Sequence, residues 1–526
     1  MTKVPLHSRF ETAFESVVAY DNPVQDVGVS VEFTGPLGVS RADAFWDGDH
    51  WWRVRFSPFE AGRWSWRTLC TNPDDAGLQE QQGQFDCIEE PSQKHWLVSG
   101  PLQVSKDHRH LEYANGKPFF WLADTAWNGP LKATEGDWDI YLTDRARKGF
   151  TAIQCVATQW LGASADAEGR TAYTNPDRIR IEPVFFHRLD RRIARINDFG
   201  LVAAPVLAWA ATWCEAGLHL NPGTSLADDQ LILFIRYLIS RYGAHQVVWI
   251  LAGDGSYDGA EAERWRRIGR ATLAGSNRLA TIHPAARLWV DQEFDSEAWY
   301  SFNGYQSGQW NNADSARWMN GERPGAVRRP TIDLEPCYED HRPLNAEGGR
   351  IDARDVRRAC YWSLLAAPVA GVSYGAHGVW SWEALSAVPL HHPKSGAARP
   401  WSENIHLPGS TSMSHLRNIL ESIDWWRLNP CPEMLTAQPG IDDPLRFVAA
   451  ASAPERDLAL IYAPEGGPIE IRADLLAESL EVFCFDPASG IQLWTKLLGN
   501  GVCTIDCGDG GDRLLLIKPK EGRKGQ

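Results

Sequence analysis

The sequence predicts a (β/α)8 barrel flanked by two β-sandwich domains, and three observations support this fold class. Between residues 97 and 430, apolar runs typical of buried parallel strands alternate with helical patterns about eight times. On either side of this region, short strands are separated by turns rich in Gly, Pro, Asn and Asp. Two of the apolar runs, 246–254 and 329–335, end on carboxylates, Asp254 and Glu335. Reacting groups of a barrel lie at the C-terminal ends of its strands, so these carboxylates are the first candidates for chemistry.

The N-terminal domain, residues 1–96, is predicted to be a β-sandwich. Its predicted strands carry β-branched and aromatic residues and include 27–33, 51–56 and 63–69. Turn signals such as Asp47-Gly-Asp separate them, which is the spacing typical of a sandwich. The segment 89–94 is interpreted as the linker to the next domain.

The barrel domain, residues 97–430, is predicted from alternating strand and helix patterns. The predicted strands are 119–123, 150–157, 202–209, 247–252, 279–283, 299–305, 330–334 and 371–382. The predicted helices are 137–148, 185–199, 231–242, 260–273, 354–366 and 412–429. A doubly wound open sheet is the alternative, but it predicts a glycine-rich phosphate loop, and no G-x-G-x-x-G follows an early strand.

The C-terminal domain, residues 431–526, returns to short strands and is predicted to be a second β-sandwich. The predicted strands are 447–451, 458–462, 480–486, 492–496 and 513–517. The turns between them contain Gly-Gly-Pro, Asp-Pro and Gly-Asp-Gly-Gly.

Composition narrows the class of protein and of partner. The 526 residues are 44% hydrophobic and 23% charged, as expected of a soluble globular chain with several domains. A net charge of −15 without a basic stripe argues against nucleic acid and anionic membrane surfaces as partners. The start of the sequence has no apolar signal core and no run is long enough to span a membrane, so we expect a cytoplasmic protein. The ten cysteines form no C-x-x-C pair, and neither a metal nor a cofactor is predicted.

Two carboxylates on different strand ends are the groups that hydrolysis of a glycosidic bond requires. One carboxylic acid protonates the leaving oxygen, while the second carboxylate attacks the sugar or activates water. Asp254 and Glu335 are the predicted pair, and Glu383 is the alternative for the second position. Each also has a purely structural reading, Asp254 as a turn residue and Glu335 as an ion-pair partner of Arg328 or Arg329.

Polar and aromatic residues near the other predicted strand ends are candidates for binding substrate. Flat aromatic faces pack against the C–H faces of sugars, and the chain has 25 tryptophans, although core packing explains most of them. The histidines at 391 and 392 are interpreted as a solvated loop pair. The predicted substrate-binding residues are Asp124, Trp127, Gln159, Trp160, Trp209, His283, Tyr305, Gln306, Tyr338, Trp380 and Trp382.

Several of these residues lie in motifs that resemble the apiosidase-like barrel glycoside hydrolases, glycoside hydrolase family 140 and relatives. The motifs are 119–127 (FFWLADTAW), 149–154 (GFTAIQ), 249–255 (WILAGDG), 281–284 (TIHP) and 334–338 (LEPCY). The N-terminal motifs at 22–23, 45–48, 54–58 and 62–64 resemble the β-sandwich that often precedes that barrel. The C-terminal segment resembles the sandwich that often follows it.

The resemblance implies a retaining mechanism with Asp254 as acid/base and Glu335 as nucleophile. Many related barrels carry Asn-Glu after the fourth strand, whereas this chain has Gly253-Asp254. A side chain shorter by one methylene would suit a five-membered sugar ring or an altered subsite. We therefore expect an exo-acting glycosidase that releases a terminal, apiose-like sugar from a plant oligosaccharide or glycoside. The segments 161–183 and 384–407 are the predicted walls of its pocket. The alternatives are a non-catalytic carbohydrate- or protein-binding scaffold and an endo-acting enzyme with an open cleft.

Overall fold

A central barrel of eight parallel strands confirms the predicted fold class. The computed structural model describes residues 2–91, 94–321, 323, 329–344, 349–508 and 510–520. The barrel strands are β1 (Trp121–Thr125), β2 (Ala152–Val156), β3 (Val202–Trp209), β4 (Trp249–Gly255), β5 (Ala280–Pro284), β6 (Asn303–Tyr305), β7 (Thr331–Asp333) and β8 (Gly371–Gly375). Their order in the sheet is β5-β4-β3-β2-β1-β8-β7-β6, so each strand lies beside its neighbours in sequence.

The barrel closes between β5 and β6 partly through a side chain. The hydroxyl of Thr281 on β5 donates to the carbonyl of Phe302 (2.7 Å) and accepts from the backbone N–H of Gly304 (3.1 Å). The backbone N–H of Ser301 also donates to the carbonyl of Ala280 at 2.8 Å. These bonds satisfy backbone groups that a regular strand pairing would otherwise occupy.

The principal helix after each strand lies on the outside of the barrel. These helices are α1 (Glu135–Arg147), α2 (Pro183–Asp198), α3 (Asp228–Tyr242), α4 (Gly259–Leu273), α5 (Asp291–Phe294), α6 (Ala313–Asn320), α7 (Ala353–Leu365) and α8 (Pro408–Glu421). The short α5 and α6 have no counterpart in the sequence patterns. The run 371–382, predicted as one strand, ends as a strand at Gly375 and continues as the helix His377–Ser381, so that part of the prediction was wrong.

The N-terminal sandwich packs a five-stranded sheet against a three-stranded sheet. The larger sheet contains Thr2–Pro5, Val29–Gly35, Gly38–Asp43, Gly62–Cys70 and Gln82–Ile88, and the smaller contains Phe10–Glu15, Phe45–Gly48 and Trp51–Phe56. Phe10 and Phe85 stack between the sheets with ring centroids 4.2 Å apart. Of the predicted linker 89–94, residues 92 and 93 lie outside the described residues. A three-stranded sheet of Leu102–Val104, Leu111–Tyr113 and Pro118–Phe119 then leads into β1.

A buried group of charges fixes the N-terminal sandwich to the barrel. The guanidinium of Arg55, on the sandwich, and that of Arg241, on α3, both bind the Asp190 carboxylate on α2 at 2.7 Å. Arg241 also binds Asp47 of the sandwich at 2.8 Å. Burial alone would raise the pKa of Asp190, but the two arginines hold it well below its ordinary value. We call Asp47, Arg55, Asp190 and Arg241 the interdomain ion cluster.

The C-terminal domain is built on a six-stranded sheet and a two-stranded sheet. The first contains Asn429–Pro430, Ala449–Ser452, Ala459–Ala463, Leu480–Asp486, Ile491–Leu497 and Arg513–Pro519, and the second contains Pro468–Arg472 and Val502–Asp506. It contacts the barrel through a two-bonded ion pair between Arg357 on α7 and Asp512. The ring of Tyr361, also on α7, stacks on Tyr462 at 4.5 Å.

Within the described part of the chain, none of the helices combines the length and the apolarity that crossing a bilayer requires.

Candidate active site

The C-terminal ends of the barrel strands surround a cavity of about 730 Å³, which we call the catalytic cavity. This volume is in the range of pockets that bind small molecules. Eight of the residues singled out from the sequence line it: Trp127, Trp160, Trp209, Asp254, Gln306, Glu335, Tyr338 and Trp380. The chain therefore brings both candidate catalytic carboxylates to one concave site.

An irregular strand end directs Asp254 into the cavity. The pairing of β4 with β5 shifts register on both sides of Gly253, as in a β-bulge, which re-aims a side chain at the rim of a barrel. Asp254 itself has a φ of 58°, a left-handed conformation that Asp tolerates better than most residues. Its carboxylate accepts hydrogen bonds from the Gln306 amide at 2.5 Å and from the Trp213 indole N–H at 3.4 Å.

The environment of Asp254 favours its protonated form. Burial raises the pKa of this carboxyl to about 6, and the neighbouring charge of Glu335 contributes in the same direction. The nearby His283 opposes the shift by a smaller amount. Asp254 can therefore hold a proton close to neutral pH and give it to a leaving group.

Several polar groups orient Glu335, which follows β7. The Gln309 amide donates to its Oε1 at 3.0 Å, and Nε2 of His283 lies 3.4 Å from its Oε2. The hydroxyl of Tyr338 also interacts with this carboxylate and accepts a bond from the Trp127 indole at 3.1 Å. Together these groups fix the carboxylate and compensate its negative charge.

Asp333, two residues before Glu335, fixes the backbone at the end of β7. Its Oδ1 accepts from the backbone N–H groups of Glu335 and Ser307, both at 3.2 Å, and its Oδ2 accepts from the hydroxyl of Ser363 at 2.7 Å. Burial raises the pKa of Asp333 to about 6. This carboxyl supports the loop that carries Glu335 and does not line the cavity.

His283, on β5, lies beneath the cavity and is fully buried. The rings of Trp127 and Trp209 flank it at 5.5 and 6.1 Å between centroids. Burial alone would lower the pKa of His283, but the hydrogen bond and charge of Glu335, together with Asp254, raise it above its ordinary value. The imidazole therefore acts on the two carboxylates rather than directly on the cavity.

Gly253 makes room for the aromatic wall. A Cβ built at this position would lie 2.6 Å from the ring of Trp209, so a larger residue would displace that ring. Trp209 in turn packs against Trp160 at 4.3 Å. Many related barrels have Asn where this chain has Gly253. The Trp209 ring occupies the space that an Asn side chain would need at this position.

Asp124 and Gln159 do not reach the catalytic cavity. Successive side chains of a strand point to opposite faces, and Asp124 points out of the barrel. There it is fully buried and binds Arg145 and Tyr141 of α1, both at 2.6 Å. Gln159 accepts from the backbone N–H of Ala172 at 2.9 Å and thereby holds the following loop.

Tyr305 and Trp382 also lie outside the cavity. The ring of Tyr305 packs against Trp289 at 4.7 Å, whereas the next residue, Gln306, points into the cavity. Trp382 follows the helix after β8 rather than lying on a strand, and it stacks on Trp401 at 4.9 Å.

The residues that offered alternative explanations for the two carboxylates bind elsewhere or are not described. Glu383 forms an ion pair with Lys132 at 3.2 Å and does not line the cavity. Arg329 donates to the backbone carbonyl of Asp295 at 2.7 Å. Arg328, the other suggested partner of Glu335, lies outside the described residues.

The walls of the cavity differ in part from those expected. Residues 391–395 of the segment 384–407 line it, but no residue of the segment 161–183 does. Residues 173–181 of that segment form a hairpin that packs on the N-terminal sandwich. Its contacts include a bond from the Asn22 amide to the Ile179 carbonyl at 2.9 Å. His392, expected to be solvated, contacts Trp380 at 4.9 Å, and burial lowers its pKa to about 4.

Sequence patterns alone missed several lining residues. They lie beyond strand ends on loops and include Trp213, Ala285, Ala286, Gln309, Trp310, His341 and Leu344. A usable signal exists for two of them, because Gln309 and Trp310 follow Gln306 closely on the same loop. Among the described residues, no cluster of three or more His, Cys, Asp or Glu side chains is arranged to hold a metal ion.

Comparison with known proteins identifies relatives of this fold. Residues 105–427 match a family described as apiosidase-like, catalytic domain, and residues 3–71 match a domain of unknown function, DUF5060. A solved structure named glycoside hydrolase is 23% identical with a TM-score of 0.69, covering 82% of this chain and 99% of its own. A glycoside hydrolase family 5 structure from Bacteroides vulgatus ATCC 8482 is 21% identical with a TM-score of 0.71, covering 83% and 97%. These likenesses establish the fold. A search of the curated proteins found no match.

Proposed function

The chain belongs to the apiosidase-like family and is a glycosidase, and we propose that it is a retaining enzyme that releases a terminal sugar from a plant-derived oligosaccharide or glycoside. In this proposal Asp254 is the acid/base and Glu335 the nucleophile. The sugar is furanosidic and resembles apiose.

One observation carries the proposal: two carboxylates with different environments face the same cavity. Asp254 is kept protonated toward neutral pH, with a pKa of about 6, whereas Glu335 is surrounded by hydrogen-bond donors and an imidazole. Pairs of titratable groups whose environments differ in this way mark the acid and the nucleophile of a glycosidase.

In the first step, the Glu335 carboxylate attacks the anomeric carbon. The bond from that carbon to the glycosidic oxygen breaks, and the proton of Asp254 passes to the leaving oxygen. The leaving group departs as a neutral alcohol, and the sugar remains attached to Glu335 through an ester bond.

In the second step, the Asp254 carboxylate accepts a proton from water as the water oxygen attacks the anomeric carbon. The ester bond to Glu335 breaks and both carboxyl groups return to their starting states. Two inversions at the anomeric carbon give net retention. His283 and Tyr338 hold Glu335 in place in both steps.

The exo mode is supported by the number of loops that line the cavity. Its walls come from the loops after β3, β5, β6 and β8, contributing Trp213, Ala285, Trp310 and residues 391–395. A furanosidic sugar is supported by the short Asp254, because an aspartate reaches one methylene less far than a glutamate at that position.

The experiment is a screen of nitrophenyl glycosides and plant oligosaccharides in which proton NMR follows the first-formed anomer. We expect a monosaccharide product with the anomeric configuration of the substrate. An inverted first product would remove the nucleophile role from Glu335, and release of internal fragments would contradict exo action.

Variants separate the two roles. Glu335→Gln keeps the shape of the side chain, so we expect a folded protein without turnover. Asp254→Ala should lose activity chiefly on substrates with poor leaving groups, and added azide should restore turnover of a dinitrophenyl glycoside as the glycosyl azide. Failure of azide to form that product would argue against Asp254 as acid/base.

A further inference from the structure

We infer that the part of the catalytic cavity lined by Trp213, Trp310 and Leu344 is a subsite for a flat aromatic leaving group. The substrate is then a glycoside of a phenolic compound. This inference rests on the proposed role of Asp254 as the proton donor. It narrows the proposed substrates from oligosaccharides and glycosides in general to glycosides of aromatic alcohols.

The position of Asp254 locates the leaving group. A proton donor must lie within hydrogen-bond reach of the glycosidic oxygen, so the group attached to that oxygen lies among the neighbours of Asp254. One aromatic neighbour is Trp213, whose indole N–H lies 3.4 Å from the Asp254 carboxylate. Trp213 lines the cavity and is 52% exposed, the highest exposure among the large aromatic side chains of the described residues. A large exposed indole beside the proton donor offers a flat apolar surface at this point.

A second apolar surface comes from other loops. Ala285, Ala286, Trp310 and Leu344 all line the cavity. A Cβ built on Gly308 would lie 2.5 Å from the Trp310 ring, so the glycine lets this ring pack against the backbone. The Arg287 guanidinium lies 4.1 Å from the centre of the same ring. These contacts hold Trp310 in a fixed orientation, as a rigid wall requires.

The side-chain N–H donors near Asp254 already have hydrogen-bond acceptors. The Gln306 amide donates to Asp254 and to the Pro284 carbonyl at 3.0 Å. The Gln309 amide donates to Glu335, and its oxygen accepts from the backbone N–H of Tyr338 at 2.7 Å. A second sugar would find few free N–H donors for its hydroxyl groups here, whereas an aromatic ring needs none.

The other polar side chains that line the cavity include His341, His392 and Lys394. The indole N–H groups of Trp209 and Trp380 also line it and have no hydrogen-bond partner among the described residues. The His392 ring contacts Trp213 edge-to-face, with ring centroids 5.3 Å apart. The volume of about 730 Å³ is that of pockets for drug-sized ligands, which leaves room for a monosaccharide and a bicyclic aromatic group together.

Free 4-methylumbelliferone is the probe for this subsite because its binding requires no turnover. We expect it to bind the wild-type protein and to inhibit hydrolysis of a methyl glycoside competitively. Leu344→Asn should weaken this binding about tenfold, because it replaces an apolar wall side chain by a polar one. Leu344→Met, which keeps an apolar side chain, should bind 4-methylumbelliferone as the wild type does. Leu385→Asn is the matched control, since Leu385 is 79% exposed and does not line the cavity.

Turnover gives an independent test with the same variants. Leu344→Asn should lower kcat/KM for a 4-methylumbelliferyl glycoside about ten times more than kcat/KM for the methyl glycoside of the same sugar. Equal losses on both substrates, or turnover without any binding of 4-methylumbelliferone, would overturn the aromatic subsite. Binding of 4-methylumbelliferone without hydrolysis of any glycoside would instead overturn the proposed function.

Discussion

Raising the pH should remove the proton from the proposed acid, Asp254, in a defined pH range. Because burial and the charge of Glu335 raise the pKa of Asp254 to about 6, the donor form predominates below that pH and is lost above it. With that pKa, the protonated fraction falls from about 0.9 at pH 5 to about 0.01 at pH 8. For a substrate with a poor leaving group, kcat/KM should therefore fall about ninetyfold between these two pH values.

The assay compares two substrates of the same sugar across pH 5 to 8. An alkyl glycoside needs full protonation of its leaving oxygen, whereas a dinitrophenyl glycoside needs almost none, so its first step should not follow the alkaline limb. In Asp254→Asn the limb should disappear for the alkyl glycoside, and the profile of the dinitrophenyl glycoside should stay without one. An alkaline limb that persists in Asp254→Asn would refute the assignment of the donor. Since the two carboxylates interact, the midpoint belongs to the pair.

The same shift has a consequence for stability. The pKa of Asp254 is higher in the folded protein than its ordinary 3.8, so ionisation between about pH 4 and pH 6 disfavours the fold. A shift of this size corresponds to about 3 kcal/mol for a fully buried carboxyl, and partial exposure reduces it to about 1–2 kcal/mol. Asp254→Asn should thus have a higher Tm than the wild type at pH 8 and an equal one at pH 4. A lower Tm at pH 8 would contradict the inferred burial cost.

Two further predictions concern the scaffold of the site. Asp190→Asn leaves the two arginines of the interdomain ion cluster uncompensated and should destabilise the protein by about 3 kcal/mol in thermal unfolding. The control Arg41→Ala, at an exposed ion pair, should cost less than about 1 kcal/mol. Similar losses of stability in both variants would show that the cluster is not what joins the domains. Gly253→Ala places a methyl group 2.6 Å from the Trp209 ring and should lower kcat/KM at least tenfold. The control Gly136→Ala, whose methyl group would have no atom within 4 Å, should leave kcat/KM unchanged. An unchanged kcat/KM in Gly253→Ala would show that the Trp209 ring is not fixed.

The barrel could be read from the sequence because its signals are local. An apolar run such as that of β3 is bounded by helix ends and glycines. The strand that the sequence predicts, 202–209, has the same bounds as the observed strand. β8 shows the limit of this reasoning. The run 371–382 stays apolar after the strand ends at Gly375, because the helix that follows is buried as well. Burial alone does not distinguish a strand from a buried helix.

The sequence predicts which strand ends surround the candidate site but not which side chains point into it. Strand alternation separates neighbours: Asp124 points out to α1, and Tyr305 points away from the cavity while Gln306 points into it. Predicting a strand end without its register leaves this choice open. Trp213 and Leu344 lie on loops whose paths depend on tertiary contacts, so no periodic pattern indicates them.

The most direct test of the central claim is to trap the sugar on the protein. A 2-deoxy-2-fluoro glycoside with a dinitrophenyl leaving group, made with the sugar that the screen identifies, should slow the second step and leave the covalent intermediate intact for peptide mass spectrometry. The account predicts one added fluorosugar per chain, attached at Glu335 and absent in Glu335→Gln. Attachment at Glu383, at Asp333 or at Asp254 would contradict it.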